Sequence, residues 1–140
     1  MTTTTLTGRV ADAFNRGDVG ALSRCFAVDA VQYHPFFPEP MRGREAILAG
    51  EGAMFAAFDN IEFSIVSEVA NGNNLAFEYR VKALNTKPIA MPDGSTIPAT
   101  NKWVDLTGSA FVERDEAGEI AVSRRYQDNL AMMMQLGLSG

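Results

Sequence analysis

Between Ile61 and Val112 the apolar residues recur at every second position, in three successive runs. Ile61, Phe63, Ile65 and Val69 alternate with polar Glu62, Ser64 and Glu68. Leu75, Phe77, Tyr79, Val81 and Ala83 alternate with Ala76, Glu78, Arg80 and Lys82. Val104, Leu106, Gly108, Ala110 and Val112 alternate with Asp105, Thr107, Ser109 and Phe111. Successive side chains on a strand point to opposite faces, so each run reads as a strand with one buried face. Asn71-Gly72-Asn73-Asn74 supplies a turn between the first two. Asn85 to Ala99, with Pro88, Pro98 and a Pro92-Asp93-Gly94 turn, is a long excursion before the third. Asp115 to Gly118 then turns the chain into a last strand, Glu119 to about Asp128.

The first half of the chain has helical spacing instead. Leu6, Val10, Ala13 and Phe14 share one helical face, Gly17 can end that helix, and Asp18 can cap the next. Leu22, Cys25 and Phe26 give the second helix its buried side. A third helix runs from about Arg44 to Phe58, with Ile47, Leu48, Met54, Phe55 and Phe58 apolar and Gly50 and Gly52 interrupting it. Met1 to Thr5 reads as a frayed end. Leu130, Met133, Met134 and Leu136 give the tail, Asn129 to Gly137, helical spacing. Helix, helix, strand, helix and four linked strands imply one α+β domain over residues 1–140. In it a cone-shaped, twisted antiparallel sheet packs against three helices, with space for a ligand between the layers.

One stretch interrupts this regularity. A short strand, Ala30 to His34, runs into a loop with Pro35, Pro38 and Pro40 before the third helix. His34 is the single histidine, and a residue before proline is pushed into extended geometry. The side chain that titrates near neutrality therefore stands at a strand end, under a loop carrying Phe36 and Phe37. Both rings are expected over the cavity mouth.

Composition closes off several classes. With a formal net charge of −5 and no basic stripe, nucleic acid is not an expected partner. No run is long and apolar enough for a membrane span, and the start lacks a signal-peptide pattern, so no membrane partner is expected. Cys25 is the single cysteine, which points to a cytoplasmic setting. One histidine and one cysteine assemble no zinc motif, and no metal or cofactor is expected.

The order of elements, with particular residues, resembles the SnoaL-like proteins of the nuclear transport factor 2-like superfamily. The resemblance lies in Asn15-Arg-Gly-Asp18, Phe26-Ala-Val-Asp-Ala30, Arg42-Gly-Arg-Glu-Ala-Ile47, and Tyr126-Gln-Asp128 followed by Gln135-Leu-Gly-Leu138. It implies a cone-shaped α+β roll of the cystatin-like type. That superfamily includes ketosteroid isomerases, polyketide cyclases, epoxide hydrolases and dehydratases. His34-Pro35 and Glu39-Pro40 fall where the ketosteroid isomerase pattern has its catalytic Asp-Pro and a Glu-Pro. That pattern's oxyanion donors fall near Val10 and Ala110, which cannot donate. Arg125 stands where limonene epoxide hydrolases carry an acid.

These readings converge on acid–base isomerisation, cyclisation or dehydration of a mostly apolar carbonyl compound. The alternative is a ligand-binding protein without chemistry. His34 is the candidate to move a proton and Arg125 to stabilise negative charge, with an ion pair to Asp12 or Asp128 as its structural alternative. Asp128 is a candidate to orient either, or a cap for the tail helix. Phe36, Phe37, Phe55, Phe77, Tyr79 and Gln127 are the candidate substrate contacts. On the outer face, the period of two gathers Trp103, Phe111, Ile120, Val122 and Tyr126, a patch expected to pair two copies as a homodimer.

Overall fold

The structure, a computed structural model, describes residues 5–138. Helix α1 (Leu6–Arg16) is capped at both ends by local chemistry. The Thr5 hydroxyl accepts from the Gly8 N–H, and Gly17 closes the helix at φ +62°, a conformation that costs glycine nothing. Thr5 is thus a cap, and the rest of the expected frayed end lies outside the described residues. Asp18 caps α2 (Val19–Ser23), its carboxylate accepting from the Ala21 N–H at 2.9 Å. Phe26 does not belong to that helix. It opens strand β1 (Phe26–Tyr33), which is longer than the expected Ala30–His34 and stops just before His34.

Two-residue β2 (Met41–Arg42) leads into α3 (Arg44–Ala57). Then come β3 (Phe58–Asn71) and β4 (Asn74–Asn85), joined at Gly72-Asn73. β7 (Trp103–Arg114), β8 (Ile120–Gln127) and a capped tail helix, α4 (Asn129–Gln135), complete the frame. The curved six-stranded sheet has the order β2-β1-β8-β7-β4-β3. Its pairs are antiparallel except β1 with β8, which run parallel, so the sheet is mixed at one edge. The long connection that a parallel pair requires runs from β1 through β2, α3, β3, β4 and β7 before the chain returns in β8.

The excursion after β4 has structure of its own. β5 (Ile89–Ala90) and β6 (Thr96–Ile97) form a small hairpin that lays Ile89 into a core with Phe58, Val104, Met132 and Leu136. Asn85 ties it down: its amide nitrogen donates to the Ala57 and Lys87 carbonyls, and its oxygen accepts from the Thr100 N–H and hydroxyl. The hairpin and α4 thereby pack against one end of the cone.

The other core is aromatic. Phe14 stacks on Phe63 at 4.5 Å, and Phe63 on Tyr79 at 4.9 Å, a column from α1 across β3 to β4. Such ring pairs contribute ~0.5–1.5 kcal/mol each beyond their buried area. Asn15 fixes the same junction, donating to the Phe63 carbonyl and accepting from its N–H. Two expectations about facing fail at bulges. β3 shifts register between Ile65 and Ser67, and Val69 beyond it is exposed. β8 shifts opposite Glu113–Arg114, which turns Ile120 into the core instead of onto the outer patch.

Candidate functional site

The inner faces of β4 and β7 are apolar, but β8 carries Ser123, Arg125 and Gln127 inward, and its neighbour β1 carries Gln32. An arginine in such a place needs an anion. It finds Glu51 of α3, with Arg125 Nη1 to Glu51 Oε1 at 2.5 Å and the two side chains 13% and 7% exposed. The expected partners are elsewhere. Asp12 pairs with Arg16 on the surface of α1, and Asp128 caps α4 by accepting from the Ala131 N–H.

The pair is embedded in a hydrogen-bonded chain. Gln32 Nε2 donates to Glu51 Oε1 at 2.9 Å. Arg125 Nη2 donates to the Tyr79 hydroxyl at 3.1 Å, and that hydroxyl donates to Gln127 Oε1 at 2.9 Å. The guanidinium also lies against the Phe14 and Tyr79 rings, 5.8 and 5.3 Å from their centroids. Gly108, the one glycine inside β7, makes room for this. A Cβ there would collide with the Tyr79 hydroxyl and come within 2.9 Å of the Tyr126 carbonyl oxygen. Burial alone would raise the Glu51 pKa, yet Arg125, His34 and the two hydrogen bonds outweigh it, and the pKa lies below the ordinary carboxylate value. Burial also opposes the charge on Arg125, but Tyr79 and Glu51 reverse that and push its pKa up.

His34 completes the group. Its Nδ1 accepts the Phe36 N–H at 3.0 Å, so the neutral ring carries its proton on Nε2. Burial and the neighbouring Arg125 cation lower its pKa from 6.5 to about 4, with Glu51 opposing. At neutral pH the ring is uncharged and can donate through Nε2, while the nitrogen that would accept a proton is already engaged.

His34, Glu51, Arg125 and Gln127 line one cavity of about 70 Å³. Phe14, Phe55, Phe58 and Met54 supply much of the apolar remainder. Of the sequence candidates the structure therefore gathers His34, Arg125, Gln127 and Phe55. Tyr79 and Phe77 lie deeper, behind the ion pair. Phe36 and Phe37 do not line the cavity. They are half-buried, meet His34 edge-on and pack against the two cores, and Phe37 lines a separate cleft with His34 and Arg125. Asp128 is outside, on the convex face. Glu51 was not a sequence candidate. Its one signal is an acid on the buried side of α3, a turn from Ile47, and the two flanking glycines obscure that face.

The sequence model of the SnoaL-like domain matches residues 8–123. No curated protein matches the chain. Among solved structures, TsrD from Streptomyces laurentii superposes with a TM-score of 0.79 at 20% identity, covering 96% of this chain and 93% of that one. A protein of Catenulispora acidiphila with a ketosteroid isomerase-like fold, solved with trimethylamine, gives 0.77 at 19% identity over 99% and 96%. A candidate polyketide cyclase from Xanthomonas campestris pv. campestris gives 0.77 at 25% identity over 94% and 93%. The match runs from α1 into β8, through every element that builds the cone except its last few residues and α4, and on that ground the chain belongs to the SnoaL-like domain family.

Proposed function

We propose that the cavity binds a small, mostly apolar carbonyl compound and performs acid–base chemistry on it, an isomerisation, cyclisation or dehydration. The observation that carries this reading is the convergence of His34, Glu51, Arg125 and Gln127 on one side of an otherwise apolar cavity. Sequence alone casts His34 as the proton carrier. With Nδ1 engaged by Phe36, it serves better as a neutral donor to the carbonyl oxygen. Glu51, held ionised by Arg125, is the group able to take a proton next to that carbonyl. The charge then developing on oxygen is met by the His34 Nε2–H and the adjacent guanidinium. Returning the proton at another carbon isomerises the compound; attack of the carbanion on a second carbonyl of the same molecule closes a ring as that C=O π bond breaks, and the alkoxide so formed takes the proton back from Glu51. Phe55 and Gln127 contact the ligand. Family membership supports this class of reaction without naming a substrate.

Proton exchange tests it. A panel of cyclic ketones and enones is incubated in D2O, and loss of the α-proton signals is followed by NMR. Wild-type protein should accelerate exchange for at least one compound, and Glu51→Gln should slow it by about 10²–10⁴-fold. Binding with no exchange above the Glu51→Gln background favours the second reading, a ligand-binding protein. The neutralisation of Arg125 by Glu51 speaks for that reading.

We also propose that two copies pair through the outer sheet face and that the protein works in the cytoplasm. Trp103, Phe111 and Tyr126 are each about half exposed there, and Phe111 and Tyr126 meet edge-on. Among the described residues no helix is long and apolar enough to cross a membrane. Sedimentation at micromolar concentration should find a species of twice the 15.2 kDa chain mass, and Trp103→Glu should halve it. A wild-type monomer would contradict the pairing.

A further inference from the structure

The cone holds two spaces. Behind the Glu51–Arg125 pair lies an inner chamber of about 30 Å³, walled largely by Val10, Leu22, Phe26, Phe77, Val112 and Ile120. Besides Tyr79, whose hydroxyl is engaged by Arg125 and Gln127, two uncharged polar side chains stand in it. Gln32 and Ser123 are 1% and 2% exposed, and they are partners across the parallel β1–β8 pair, so they sit side by side on the inner face. The Gln32 amide nitrogen is committed to Glu51. The only side-chain hydrogen bond of Gln32 among the described residues is that one, none is made by the Ser123 hydroxyl, and both residues line the chamber.

In the unfolded chain both oxygens would be hydrogen-bonded to solvent, and apolar walls cannot replace those bonds. An ordered water requires ~10–15 Å³ of such room and two to four polar partners. The chamber supplies the room, one acceptor in Gln32 Oε1, one donor and acceptor in Ser123, and the border of the Glu51 carboxylate. A larger polar guest does not fit, and an apolar one leaves the two oxygens unpaired.

We propose that the inner chamber is a binding site for ordered water, held between Ser123 Oγ and Gln32 Oε1 at the back of Glu51. The water gives the carboxylate a proton-exchanging neighbour on the side away from the outer cavity. This site stands whether or not the outer cavity is catalytic.

A high-resolution crystal structure of the whole protein, with thermal unfolding of Ser123→Val, tests it. The expected result is oxygen density at about 2.7–3.2 Å from both Ser123 Oγ and Gln32 Oε1. Ser123→Val fills the space and removes one partner, so it should lose that density and melt roughly 3–8 °C lower. A chamber without density, or a Ser123→Val variant melting at or above wild type, overturns the proposal. If the variant does not fold, the wild-type density alone decides.

Discussion

The inner face of the sheet is two surfaces with opposite tasks. Along β4 and β7 the inward residues Leu75, Phe77, Val104, Leu106, Ala110 and Val112 are all buried, and they hold the fold by excluding water. Across the strand boundary, β8 and β1 turn Ser123, Arg125, Gln127 and Gln32 into the same interior. Burial that stabilises the first surface is a cost on the second, and that cost is offset only because Glu51 and Tyr79 complete the hydrogen-bonded chain. A packing role would be filled as well by valine and leucine. Polar residues kept at this expense are what the proposed chemistry or recognition would need, and the contrast within one sheet supports the proposed site.

The largest expected effect comes from cutting the polar surface at its centre. Arg125→Met leaves the Glu51 charge buried without a partner and should cost about 3–5 kcal/mol in urea unfolding. The double variant Arg125→Met/Glu51→Met makes β8 resemble β7 and should recover most of that loss. A single variant within ~1 kcal/mol of wild type would erase the distinction between the two surfaces.

A smaller effect is carried by pH. His34 titrates near 4 in the fold and near 6.5 when unfolded. Between those values the unfolded chain binds a proton that the folded one refuses, so stability rises with pH across the window and is lost as pH falls through it. The loss should be on the order of 2 kcal/mol, allowing for the ring's partial exposure. It should vanish in His34→Gln, and a slope unchanged in that variant would assign it to other groups. Glu51, whose pKa is depressed, adds its own loss at lower pH, below the ordinary carboxylate range.

The smallest change sits on the boundary itself. Tyr79→Phe keeps the ring stack with Phe63 and removes only the hydroxyl between Arg125 and Gln127. It should cost about 1–2 kcal/mol by the same unfolding measurement. No loss would place Tyr79 wholly on the apolar surface.

The apolar surface is legible in the sequence because period two states it outright, residue by residue, for the inward set of β4 and β7. The polar surface was legible only in part. Arg125 and Gln127 follow from the same period, and His34 from being alone. Glu51 was not legible, because the partner of a buried charge is set by how α3 lies across the sheet, a tertiary fact with no local pattern. The parallel β1–β8 pair has the same cause, since strand order depends on where the helical first half returns the chain. The role of Asp128 depended on a cap, and local capping prevailed over a longer reach to Arg125. Their place on a loop makes Phe36 and Phe37 an expected cover; both are half-buried against the cores, and Phe37 borders a cleft beside His34 and Arg125.

Because the chain has one histidine, its ring signal can be followed by NMR without assignment, and its titration tests the electrostatics of the site most directly. The account predicts a midpoint near 4. It also predicts that the midpoint rises in Arg125→Met and falls further in Glu51→Gln, because the first removes a neighbouring cation and the second an anion. A midpoint near 6.5, unmoved by either substitution, would mean that His34 is a solvated residue at a strand end and that the polar group does not act as a unit.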